Sequence, residues 1–328
     1  MMLLHPSNIM FLTTLFMTII LAVSTDSWFV TWVALEMNIM VFLPMLLKKK
    51  NKYQSESALK YFLTQIIASI MILLALMQLK TAYGFSCFVI LTSLMLKMAA
   101  APLHKWMPAL VNGLNWESLF ILLILQKVVP FTILSLNNPY DSFDFTLSFF
   151  IIMSALTGAL MVLFQSSLMK MLAYSSIAHS AWMLTLMMMG KLEWLSYFMI
   201  YSIINMTLMT TLAKTNMFYL SQLLTNKESA HNKAWIMLGF LSLGGLPPLS
   251  GFFPKMMAIS VISASSNNTL LLVLLLSSLI SLFMYLRVSV NSIFMKTSQI
   301  FEKGQKSKNL LISVINTSGL FLGYLLFV

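Results

Sequence analysis

A chain of 328 residues that is 59% hydrophobic and only 9% charged cannot cover the surface of a water-soluble globule, which typically carries about 25% charged residues. Its net charge of +11 is not gathered on a soluble basic face, which excludes a nucleic-acid role, and its single cysteine, Cys87, excludes an internal disulfide or an unaided iron–sulfur cluster. No dinucleotide-binding glycine turn, Walker loop or HExxH motif is present, so no metal site is expected and any redox cofactor belongs to other chains.

The apolar runs are continuous and about twenty residues long, the length a helix needs to cross roughly 30 Å of hydrocarbon. Barrel strands would alternate with period two and do not fit. The fold class is therefore all-α, a polytopic membrane bundle of about eleven helices. In chain order the predicted spans are 7–23, 28–47, 58–79, 84–110, 116–135, 146–168, 171–190, 194–214, 235–262, 268–288 and 309–327. Connections are short except around 215–234 and 290–308, and residues 1–328 read as one transmembrane domain without a soluble module.

Basic residues orient the bundle. Of the 20, fifteen fall in or beside the even-numbered loops, from the Lys48–Lys50 run to Lys308, and two, Lys80 and Lys191, fall in odd-numbered loops. This places the N-terminus and the even loops on the negative side, matrix or cytoplasm, and the C-terminus opposite. The 29 methionines suit a mitochondrial genetic code, which reads an extra codon as Met. No Arg-rich presequence precedes the first span, as expected of a protein made inside its own organelle or of a bacterial membrane protein.

Four ionisable residues lie within spans: Glu36 in WVALEMNIM, Lys97 in TSLMLKMAAAP, Lys127 in LLILQKVVP and Lys255 in SGFFPKMMA. A charge at the bilayer centre costs roughly 2.5–3.5 kcal/mol and marks ion or proton paths. The plainer readings are snorkelling of a lysine stem to the interface and a structural Glu36–Lys97 ion pair. Two spans carry breaks, AAAPLHKWMP with Pro102 and SLGGLPPLSGFFPK with Pro247 and Pro248. Each break sits in the fourth helix of a five-helix half, about 7–135 and 146–288, which predicts inverted repeats with a site at the midplane; the plainer reading is a proline kink in each. Ser175, Ser176 and His179 share a face by helical spacing and are candidate relay groups. A neutral histidine bonded to a carbonyl is an equal reading of His179. His104, beside the first break, serves an entry path or caps the broken helix.

Six motifs in order, WVALEMN, ESALKYFLTQ, LKMAAAPLHKWMP, LQKVVP, AYSSIAHSAWML and LSLGGLPPLSGFFPK, resemble the NADH dehydrogenase (ubiquinone) subunit 2 family, antiporter-like membrane subunits of mitochondrial respiratory complex I. The resemblance runs to about residue 290. It implies a proton-translocating subunit of the mitochondrial inner membrane, coupled to NADH oxidation and ubiquinone reduction elsewhere. It implies Glu36 and Lys97 as a pair, Lys127 as the middle relay and Lys255 as the terminal lysine. NADH, FMN, iron–sulfur clusters and ubiquinone would then be bound by other subunits. The implied partners are the antiporter-like subunit 4, subunit 4L and accessory subunits, with cardiolipin drawn to the lysine-rich loops. The alternatives are a stand-alone cation/proton antiporter of the related fold and a structural spacer that does not pump.

Overall fold

The computed structural model describes residues 6–25, 27–47, 51–79, 81–136, 144–189, 192–225, 230–265 and 267–294. Among them every regular element is a helix, apart from one isolated antiparallel bridge between Ser167 and Tyr219. Helices satisfy their own backbone, which hydrocarbon cannot do for them. Contacts divide the chain into two compact units, Met1–Ser154 and Ala155–Val328.

The first unit holds α1 (Pro6–Ser24), α2 (Trp28–Leu46), α3 (Lys52–Met77), α4 (Tyr83–Met98), the short α5 (Trp106–Val111) and α6 (Trp116–Phe120), and α7 (Gln126–Leu136). The division point falls within α8 (Asp144–Leu163). The second unit continues with α9 (Leu168–Met188), α10 (Glu193–Thr215), the short α11 (Leu220–Thr225), α12 (Ala230–Gly244), α13 (Phe252–Ala264) and α14 (Asn268–Phe294).

Helix α3 shows which solvent this sequence is written for. Its buried face carries Gln54, Ser57, Tyr61, Gln65, Ala68 and Ser69. Its exposed face carries Leu59, Leu63, Ile67, Ile70 and Leu74, at helical spacing. In water the leucines would go inside; this arrangement is stable only where the surroundings are as apolar as leucine, and small or polar side chains then make the helix contacts. Gly158 of α8 makes the same point. A Cβ built there lies 2.7 Å from the Ala178 backbone nitrogen of α9, so only glycine lets the two helices approach so closely.

Seven helices among the described residues are long and apolar enough to cross a membrane, counting α4–α5 and α6–α7 as single crossings. The first unit packs α1 on α2, α2 on α3 and α3 on α4, with α7 against α1, α2 and α4. In the second, α10 and α14 flank α12, while α13 contacts α9, α10 and α14. Helix α10 is finished by local chemistry: Glu193 lies in its first turn, Lys214 in its last, and Asn216 closes it in the left-handed conformation (φ 50°).

The elements depart from the sequence expectation at several ends. Helix α3 begins at Lys52, not at 58, because its amphipathic first turn lies outside the apolar run. Helix α14 extends to Phe294, and the long loop after α10 contains α11. The span expected at 116–135 is not a plain helix, since a π-turn at Ile121–Leu125 separates α6 from α7. The expected span 309–327 lies outside the described residues.

Candidate functional site

Both expected helix breaks are present, each beside a lysine. Helix α4 stops at Met98 because Ala99 takes the left-handed conformation (φ 59°, ψ 40°), a cost of about 1–2 kcal/mol for a residue with a Cβ. The amides of Ala99 and Ala100 return to the carbonyls of Leu96 and Met95, and the Trp106 indole donates to Leu96 O at 3.0 Å. The chain resumes as a 3₁₀ turn, Leu103–Lys105, and then α5. Pro102 sits in this gap, whereas Pro108 lies inside α5. His104 is buried in the 3₁₀ turn.

Lys97 lies in the last turn of α4 and is buried, and its Nζ has no hydrogen-bond partner. Glu36, half-buried in α2, lies within electrostatic reach of Lys97 and Tyr61. Glu36 and Lys97 are not closed into an ion pair, unlike Lys60 and Glu56 on the outer face of α3. Between Lys97 and its neighbours lies a cavity of about 10 Å³, lined by Leu35, Asn38, Ile39, Gln65, Lys97, Gln126 and Pro130. A chain of side-chain bonds runs along it. The Tyr61 hydroxyl donates to Gln126 Oε1 at 3.0 Å, and Gln126 Nε2 donates to Asn38 Oδ1 at 3.3 Å.

Lys127, next in sequence to Gln126, is 1% exposed. Two irregularities bracket it. The π-turn ends one residue before Gln126 and shifts the register of everything after it. Pro130 lacks an N–H, so the Gln126 carbonyl four residues back has no helical donor.

In the second unit α12 ends at Gly244, and Gly245 turns the chain with φ +78°. The amides of Gly245 and Leu246 bond back to Leu241 O. Residues 245–251, including Pro247 and Pro248, form the gap before α13. Lys255, in the first turns of α13 and 8% exposed, donates from Nζ to Gly244 O at 2.7 Å. A cation thus rests on the carbonyl end of the broken helix, where the helix dipole is negative. Pro254 lies within the first turn of α13, where a missing N–H is tolerated.

On α9 the hydroxyls of Ser175 and Ser176 bond the carbonyls of Leu172 and Ala173, both at 2.7 Å. His179 Nδ1 lies 2.9 Å from the Tyr197 hydroxyl, and its ring packs 4.9 Å from that of Tyr201. The Tyr285 hydroxyl faces Ser175, and the Tyr201 hydroxyl faces Ser176 and Asn205. The serines and the histidine expected to share a face are therefore buried together, in a cluster that also holds three tyrosines.

Sequence reading missed Asn38, Gln65, Gln126 and Tyr61. Neutral amides and a phenol carry no charge to flag them; the signal available was four large polar side chains inside three apolar spans.

Lysines buried at interrupted helices, in an all-helical bundle with an apolar exterior, define the antiporter-like class of membrane subunit. A family model described as NADH:quinone oxidoreductase/Mrp antiporter, TM, matches residues 78–281. The chain is 37% identical over 323 residues to NADH-ubiquinone oxidoreductase chain 2 of Anopheles gambiae, covering 94% of this chain and 93% of the relative. The Locusta migratoria protein of the same name is 33% identical over 299 residues, covering 89% and 86%. This chain belongs to the NADH-ubiquinone oxidoreductase chain 2 family. Among solved structures it resembles a chain of respiratory complex I from Thermus thermophilus, with TM-score 0.83 and 22% identity over 97% of this chain and 77% of that one. It also resembles a chain of the Mrp complex from Dietzia sp., with TM-score 0.77 and 15% identity over 86% of this chain and 59% of that one. At these identities the two structures speak for the fold.

Proposed function

We propose that this chain is a core membrane-arm subunit of an NADH:ubiquinone oxidoreductase and that it moves protons through Glu36, Lys97, Lys127 and Lys255. The observation that carries the reading is the burial of three lysines, none more than 8% exposed, each beside a helix break or a π-turn. Each costs roughly 2.5–3.5 kcal/mol to hold in hydrocarbon, and a structural spacer gains nothing from that expense. Glu36, free of a closed ion pair, controls the charge on Lys97, and the change passes to Lys127 and Lys255. His179, with Ser175 and Ser176, and His104 at the first break are the candidate side branches.

This chain does no redox chemistry itself. NADH, FMN, iron–sulfur clusters and ubiquinone are held by other subunits, and its own neighbours are the antiporter-like subunit 4, subunit 4L and accessory chains. The chain lies in the mitochondrial inner membrane with its N-terminus in the matrix and its C-terminus in the intermembrane space, as its lysine distribution supports. The two halves about 7–135 and 146–288 act as inverted repeats. A groove of about 390 Å³ beside Arg287, walled by Leu163, Phe164, Leu223 and Met284, suits an anionic phospholipid such as cardiolipin. Arg287 has no acidic partner among the described residues, so charge complementarity favours that occupant.

The test is the number of protons pumped per NADH by the assembled complex in sealed vesicles. Lys127→Met and Glu36→Gln should each lower that ratio or slow coupled turnover. Unchanged stoichiometry and rate in both variants would return the chain to the role of spacer. Migration of the chain apart from a large NADH-oxidising assembly would favour the stand-alone antiporter.

A further inference from the structure

Lys97 presents a mismatch. Its Nζ is buried without a hydrogen-bond partner, yet three amide side chains, Asn38, Gln65 and Gln126, line the cavity it faces. A buried ammonium with three unmet donors costs several kcal/mol, so a site that keeps one has a second partner for it. The cavity's roughly 10 Å³ is the room that a single water's centre needs, and a buried water makes about three hydrogen bonds. The amides supply them in number and in kind.

We propose that this cavity is a one-water site, and that Gln126 is the residue that positions the water between Lys97 and α7. This rests on the reading that Lys97 is part of the proton path. Gln126 is already held at both ends: its Oε1 accepts from Tyr61 of α3 and its Nε2 donates to Asn38 of α2. Its amide is therefore fixed in direction, and it offers its remaining acceptor and donor capacity to the cavity. The water accepts from the Lys97 ammonium and donates to Gln65 and to an acceptor of the Asn38–Gln126 pair. When Lys97 is the neutral amine, the nitrogen becomes an acceptor and the water must turn to donate to it. The charge on Lys97 is thus read out as the orientation of one water bonded to the residue before Lys127.

The register explains why Gln126 and not a neighbour does this. Successive helical residues point about 100° apart, so Gln126 and Lys127 face different directions from adjacent positions. The π-turn at Ile121–Leu125 sets the phase of both at once. No bond is made or broken by Gln126; it orients.

Two measurements test this in the intact complex. A cryo-electron-microscopy map at a resolution that shows ordered water should contain one water within hydrogen-bond distance of Lys97 Nζ and of at least one of the three amides. A dry cavity, or Nζ bonded directly to an amide or to Glu36, overturns the proposal without any variant having to fold. Gln126→Met, which keeps the side-chain volume and loses the amide, should shift the pH profile of coupled NADH oxidation by about half a unit or more, the scale of one lost hydrogen bond. A purely structural role would lower the amount of assembled complex and leave the profile in place, and that result overturns the proposal. If Gln126→Met is silent while Lys97→Met abolishes pumping, the proton-path reading stands and the water site falls. If Lys97→Met is itself silent, the proton-path reading falls whatever the map shows.

Discussion

Gly245→Ala is the most informative single perturbation of the second break. Gly245 has φ +78°, and a Cβ there would lie 2.9 Å from Lys255 Cδ, 3.1 Å from Nζ and 3.2 Å from Cε. Two costs follow. An alanine in the left-handed region costs about 1–2 kcal/mol. The lysine must also move, which loosens its 2.7 Å bond to Gly244 O, a charged hydrogen bond contributing about 1.5–3 kcal/mol. Even the lower end, about 2.5 kcal/mol, corresponds to faster local opening by about 70-fold at 1.36 kcal/mol per decade. The assay is hydrogen exchange followed by mass spectrometry on peptides covering the Gly245 and Leu246 amides, both of which bond to Leu241 O. The double variant Gly245→Ala, Lys255→Met should fall short of the sum of the singles, because the ammonium whose bond the alanine disrupts is already gone. Exchange within about threefold of the parent for Gly245→Ala would refute the contact between Lys255 and the end of α12.

Gly158→Leu should abolish assembly, since its Cβ would lie 2.7 Å from Ala178 N and 2.9 Å from Ala178 Cβ, whereas Gly84→Leu, with open space around it, should assemble normally; native gels separate the two outcomes. Arg287→Gln should reduce the anionic phospholipid that co-purifies with the complex by about one molecule, counted by lipid mass spectrometry, and an unchanged count would remove the groove as a lipid site.

The sequence carried the fold well because lipid simplifies the code. Twenty apolar residues must be a helix when no other backbone arrangement is satisfied, so the spans could be read from length alone. The breaks were legible for a related reason, since a proline inside such a run removes a backbone donor and paired glycines free the chain to turn. Legibility failed where local geometry is decided by packing. Ala99 in the left-handed conformation and the π-turn at Ile121–Leu125 leave no trace in residue type, because alanine, leucine and isoleucine are ordinary helix formers. The charged residues of the site announced themselves by their cost. The amides did not: Gln126 looks incidental beside Lys127 until the Tyr61 and Asn38 bonds place it at the centre of the cluster.

The serines of α9 are tied to their own helix. Ser175 and Ser176 each have one hydroxyl hydrogen, and each gives it to the carbonyl three residues back. With that hydrogen committed, what each hydroxyl offers its other neighbours is lone pairs. A hydroxyl in a conducting chain must receive on one side and release on the other. In the proposed relay, two serines tied to their own helix can only receive, which makes them stops along that line and not links. Conduction past them requires the hydroxyl to rotate off the backbone, at about 1 kcal/mol per bond released. That is small enough for thermal motion to supply and large enough to keep the line closed most of the time.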